Sequence, residues 1–88
     1  MTRRRYWFTF RLSLGDPHPP GTVIGCGVTA FNRDDALQIL RELVFVSHPF
    51  PEINCVTEDV DVSTLDPGHV LPNMTSPVDR GVWFPMGY

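Results

Sequence analysis

The stretch VTAFNRDDALQIL, residues 28–40, joins a strand-like run directly to the start of a helix. Asn32 has the side chain of a helix N-cap, and Asp34 and Asp35 fall where the helix dipole favours negative charge. So short a junction predicts that the helix packs against a face of the sheet that contains the preceding strand. That arrangement is typical of an α+β fold.

A helix is predicted from Arg33 to about Phe45, because apolar residues recur there at helical spacing. The apolar positions are Ala36, Leu37, Leu40, Leu43 and Val44. The opposite side is polar, with Arg33, Gln38, Arg41 and Glu42. Two prolines within residues 47–52 then end the helix.

The first predicted strand covers residues 5–14, where side chains alternate between two faces. Tyr6 and Phe8 fall on the apolar face, which continues through Phe10, and Trp7 falls on the other. This period of two indicates a strand with one face against the core.

The second predicted strand covers residues 22–30 and contains Gly25 and Gly27 on one face. Glycine inside a strand usually marks a bulge or the close approach of another group. We therefore expect Trp7, on the neighbouring strand, to lie across the bare glycines.

The chain after the helix is poorer in periodic signals. A third strand is predicted at 53–62, a long wrapped loop at 63–81 and a short last strand at 82–84. The order of hairpin, helix and strand is that of a β-grasp domain. We predict one α+β domain over residues 1–88, with a mixed sheet, one helix packed across it, and a C-terminal strand and tail at 82–88.

Composition and charge restrict the class of partner. The net charge is −3 and all seven basic residues are arginine. Because phosphate binding needs a clustered positive surface, nucleic acid is not the expected partner. Residues 2–7 hold the one arginine run, interpreted as a solvated strand end. No segment has the length of a membrane span, and no signal-peptide pattern is present, so a cytoplasmic location is expected.

No catalytic or metal-binding pattern stands out. The three histidines neighbour prolines or turn glycines, and neither cysteine has the spacing of a zinc site. Cys26 lies on the apolar face of the second strand, where burial makes a thiol inert. The sequence therefore predicts neither an enzyme nor a cofactor or metal site.

Exposed aromatic residues are the remaining functional signal. Trp7 lies on the face away from the core, and Trp83 and Phe84 belong to the aromatic segment RGVWFPMGY. Tryptophan and other aromatic residues are enriched in protein interfaces, so these three residues are predicted to bind a partner. The alternative, favoured for Phe84, is that Trp83 and Phe84 serve as core.

The order of elements from Arg5 to Phe45 resembles the first half of ubiquitin-like β-grasp proteins. The whole chain is also similar to short bacterial proteins that carry EDVDVSTLDPGHVLPNM and RGVWFP. These are identified with bacterial ubiquitin-like conjugation operons. The resemblance implies a small protein modifier whose partners are activating and conjugating enzymes, a processing peptidase and target proteins.

The resemblance also implies a role for the last two residues. Gly87 matches the terminal glycine whose carboxylate is activated and joined to a target, and Tyr88 matches a residue that the peptidase removes first. Glycine suits a narrow active-site channel because it has no side chain. Two features depart from the family pattern: the tail after the last strand is short, and the long loop differs from the path in ubiquitin.

The second hypothesis is a non-covalent interaction module, such as an adaptor, an antitoxin-like subunit or a homodimer. It would use the same aromatic surface. The two hypotheses differ in one requirement, since only the modifier needs a free and accessible C-terminus.

Overall fold

The computed structural model of the chain describes residues 3–11, 22, 24–46, 50–65 and 67–85. Within these ranges there are four strands, one α-helix and two short 3₁₀ turns. The strands are β1 (Arg4–Arg11), β2 (Cys26–Ala30), β3 (Glu52–Glu58) and β4 (Gly81–Phe84), and the helix is α1 (Arg33–Leu43). The 3₁₀ turns are Val62–Thr64 and Leu71–Asn73, between β3 and β4. This confirms the predicted α+β class.

The four strands form one sheet in the order β3-β1-β2-β4. All three neighbouring pairs, β1 with β2, β1 with β3 and β2 with β4, are antiparallel. The predicted mixed sheet is therefore wrong for the described strands, which contain no parallel pair. β3 lies on the opposite side of β1 from β2. The strands β2 and β3 therefore point in the same direction but are not neighbours in the sheet.

The helix begins where the sequence predicts. The side-chain oxygen of Asn32 accepts a hydrogen bond from the Asp35 amide at 2.8 Å. In return, the Asp35 carboxylate accepts one from the Phe31 amide at 3.1 Å. These reciprocal bonds satisfy amide groups that have no partner within the helix itself.

The C-terminal half of the helix departs from the prediction. The helix ends at Leu43, two residues before Phe45, and the amides of Val44 and Phe45 both bond the Leu40 carbonyl. Leu43 was expected on the buried stripe but is 65 % exposed, whereas Ile39 is buried. The buried stripe is therefore shorter than the sequence pattern indicates, because its last helical residue is Leu40.

Two predicted strand boundaries lie four residues from the observed ones, and residues 12–14 of the predicted first strand lie outside the described residues. β2 begins at Cys26 rather than at residue 22, and β3 ends at Glu58 rather than at residue 62. Gly25 has φ +147° and Asp59 has φ +54°. Both φ values are positive, whereas the residues of an extended strand ordinarily have negative φ.

Both faces of the sheet are covered. On the helix face, where α1 packs, the core contains Tyr6, Phe8, Cys26, Val28, Ala30, Ala36, Ile39, Leu40 and Phe45. On the opposite face, here called the loop face, the segment 59–80 packs over a second core that contains Trp7, Val60, Val70, Trp83 and Phe84. The sheet is thus the middle of three layers, and the long loop forms the third.

Candidate protein-interaction surface

The three aromatic residues predicted to bind a partner lie together in the loop-face core. Trp7 is 9 % exposed, and Trp83 and Phe84 are fully buried. The Trp7 ring stacks on Trp83 with centroids 5.9 Å apart and lies 5.5 Å from the Phe84 ring. In this structure the three side chains fill a core, which is the alternative that the sequence favoured for Phe84.

The strand glycines explain how two indole rings fit against the sheet. A Cβ atom at Gly25 would lie 2.7 Å from the Trp7 ring, and one at Gly27 would overlap the Trp83 ring. Both distances are shorter than carbon atoms tolerate. The expected aromatic cover over the glycines is confirmed for Trp7 at Gly25, while the cover of Gly27 comes from Trp83.

The segment 59–80 is attached to the sheet by hydrogen bonds as well as by apolar contact. The Thr75 amide donates to the Trp83 carbonyl at 2.9 Å, and the Thr29 hydroxyl donates to the Pro77 carbonyl at 2.5 Å. A partner could reach Trp7 or Trp83 only by displacing this segment. Because these aromatic residues are buried, the structure does not support the prediction that they form an open partner-binding surface.

An ion pair joins the end of this segment to the start of the helix. The Arg80 guanidinium donates to the Asp35 carboxylate at 2.9 Å and lies 5.7 Å from the centre of the Phe31 ring. The hydrogen bond from Arg80 is the main reason that the pKa of Asp35 lies below its ordinary value. Asp35 therefore serves both the helix cap and the loop.

The most accessible part of the sheet is β3, which pairs with β1 alone among the described strands and so forms an edge of the sheet. Five of its seven residues are exposed, and Ile53 and Val56 are half-buried against the helix-face core. Residues Cys55–Glu58 pair one-to-one with residues of β1. Asn54 has no partner residue on β1 and forms a bulge.

The amino-acid sequence does not reveal that β3 lies at an edge of the sheet. The segment EINCVTE predicts a strand, but its position at the edge depends on which strands pair, and that is a long-range property. A usable signal was present in its composition, since charged residues at both ends are typical of edge strands.

The two cysteines differ strongly in environment. Cys26 is buried, and burial raises the pKa of its thiol to about 12, which makes it a poor nucleophile near neutral pH. Cys55 is exposed on the loop face of β3. Among the described residues no three His, Cys, Asp or Glu side chains are grouped to hold a metal ion. Of the histidines, His69 is described and exposed, whereas His18 and His48 lie outside the described residues.

Gly87 and Tyr88, the predicted sites of conjugation and processing, also lie outside the described residues. The described chain ends at Pro85, one residue after β4. In the part of the chain that the structure describes, no helix has the length and apolarity needed to cross a membrane. Comparison with protein-family models, curated proteins and solved structures finds no match to this chain.

Proposed function

We propose that this chain is a non-covalent protein-interaction module that binds an extended segment of a partner along β3. The observation that carries the proposal is the accessible edge formed by Glu52–Glu58. An edge strand has backbone amides and carbonyls on its outer side that no neighbouring strand satisfies. A partner segment can pair with them and add a strand to the sheet.

The other edge of the sheet is less suited to this role. β4 has only four residues, and its Trp83 carbonyl already accepts a hydrogen bond from the Thr75 amide. Trp83 and Phe84 are also buried, so a partner would find little accessible side-chain surface there. Length and access therefore both favour β3.

The proposal is tested by selecting seven-residue peptides from an unbiased display library and mapping a bound peptide by NMR. We expect the largest chemical-shift changes at the amides of Glu52–Glu58, with smaller ones at β4. A matched pair of variants supplies the control: Val56→Lys, on β3, should abolish binding, and Val46→Lys, at an exposed position after the helix, should not. Shifts centred on another surface would contradict the proposal.

A second candidate function is the ubiquitin-like modifier, with a β-grasp fold. It is favoured by the order of β1, β2 and α1, which is the order in the first half of ubiquitin-like proteins. In this hypothesis a peptidase removes Tyr88, and activating and conjugating enzymes join the Gly87 carboxylate to target proteins.

The modifier hypothesis is tested by intact mass after co-expression of the chain with the genes that neighbour it. Loss of Tyr88 and a bond from Gly87 to another protein would support it. The matched control is Gly87→Ala, which should prevent the adduct without changing the folded sheet. An unchanged mass with all neighbouring enzymes active would contradict the modifier hypothesis and leave the β3 proposal standing.

A further inference from the structure

The charges on β3 restrict what can pair with it. Glu52 and Glu58 are both exposed, at the two ends of the strand, and the strand contains no basic residue. Within the described part of the chain, neither carboxylate takes part in a hydrogen bond or an ion pair. A segment that pairs along this edge therefore meets negative charge at both ends.

Nearby arginines are engaged elsewhere, which leaves the Glu58 end negative. Arg4 forms an ion pair with Asp59 at 3.3 Å. The Arg5 guanidinium donates to the Val60 carbonyl at 2.9 Å, and its positive charge interacts with the Asp61 carboxylate rather than with Glu58. At the other end Arg11 is the register partner of Glu52 on β1, so positive charge is closer there. The Glu58 end is thus expected to attract a cation more strongly.

Pairing with a second copy of the chain is disfavoured by the same charges. Two paired copies of β3 would bring four glutamates and no basic residue into the two strands. Like charges on neighbouring strands repel each other. The charges that oppose a second copy favour a segment that carries the opposite sign.

Apolar contact is available on one face of the edge. Ile53 and Val56 are half-buried and pack against the helix-face core beside Phe10 and Phe50, with Arg41 lying over the Phe50 ring at 4.8 Å. An aliphatic side chain on the added strand could extend this cluster.

We infer that the partner of β3 is an extended basic segment, with arginine or lysine near the Glu58 end and aliphatic residues alternating within it. This inference rests on the proposed function, since it specifies the chemistry of the segment that docks on β3. The acidic ends select the segment by charge, and the backbone edge and the half-buried aliphatics hold it.

The test uses three blocked peptides that differ only at their ends: RVTVTVR, QVTVTVQ and EVTVTVE. We expect the arginine peptide to bind with shifts at the β3 amides, the glutamine peptide about two- to fivefold more weakly, and the glutamate peptide weakest, because exposed ion pairs are individually weak. Raising the salt concentration should reduce these differences.

Three charge variants give the matched control. Glu58→Gln should remove most of the preference for arginine, Glu52→Gln should remove less of it, and Glu58→Lys should favour the glutamate peptide. Equal binding of the three peptides at β3 would overturn the basic-partner inference and leave the proposed function intact. If none of the three peptides changes the chemical shifts of the β3 amides, both the basic-partner inference and the proposed function are contradicted. Dimerisation through β3 that persists at neutral pH would overturn the inference in favour of a second copy.

Discussion

The two faces of the sheet are covered in different ways. The helix face lies under α1, whose start at Asn32 and buried stripe are encoded within eleven residues and their cap. The loop face lies under the segment 59–80, whose described residues form two 3₁₀ turns and pack on Trp7, Trp83 and their neighbours. A regular element can thus specify its own position, whereas an irregular cover depends on large side chains that the sheet presents to it.

The dependence of the loop face on large side chains is tested most directly at Trp83. We expect Trp83→Ala to lower the free energy of unfolding by about 3–5 kcal/mol, as large as or larger than the effect of Leu40→Ala on the helix face. The physical reason is that Trp83 is fully buried and occupies the space beside Gly27. Urea unfolding followed by far-UV circular dichroism measures both variants.

Trp83→Phe supplies the control for that experiment. It keeps an aromatic ring and removes a buried indole N–H that has no hydrogen-bond partner among the described residues, so it should cost less than the alanine change. If Trp83→Ala costs less than 1 kcal/mol while Leu40→Ala costs several, the loop face is a loose cover and the comparison fails.

The next largest effect is expected at Gly27. Gly27→Ala places a methyl group inside the Trp83 ring position and should destabilise the protein by about 1–3 kcal/mol. The same change made together with Trp83→Phe should cost less than the sum of the two single changes, because the residues share one space. Strict additivity in thermal or urea unfolding would show that the two positions do not touch.

On the helix face, the contribution of the helix N-cap is tested at Asn32. Asn32→Ala should cost about 1 kcal/mol, since it removes the acceptor for the Asp35 amide, and Asn32→Asp should retain most of the stability. Hydrogen exchange of the first-turn amides should quicken in the alanine variant alone. Equal stability of the two variants would mean that packing, not the cap, determines where the helix begins.

The smallest effect is expected at the contact that connects the two covers. The Arg80 hydrogen bond lowers the pKa of Asp35 in the folded chain, so this pair stabilises the fold above the ordinary Asp value near 3.8. Its contribution is lost as the pH falls through the lowered folded pKa. The difference in unfolding free energy between the wild type and Arg80→Gln should therefore shrink below pH 4.

Asp79→Asn is the control for that pH dependence, because it changes a neighbouring exposed carboxylate that is not bonded to Arg80. A difference between wild type and Arg80→Gln that stays constant from pH 7 to pH 2 would show that Asp35 is not the titrating partner.

Sequence reasoning succeeded where the cause was local. Alternation in β1 placed Tyr6 and Phe8 on the helix face and Trp7 on the other, and the buried position of Cys26 followed from the same period of two. It failed at Leu43, because the apolar pattern does not reveal where the sheet beneath the helix ends. It also failed for the mixed sheet, because nothing within a strand states which neighbour it will pair with or in which direction.

The amino-acid sequence by itself thus determined the start of α1, the two faces of β1 and the α+β class, since caps and periodicity act over a few residues. Only the tertiary structure decided that β3 forms an edge and that Trp7, Trp83 and Phe84 are buried. Both outcomes depend on contacts between residues far apart in the chain. The segment 59–80 crosses the loop face and buries aromatic residues that the sequence predicted to be exposed. The accessible edge at β3 is the candidate site instead.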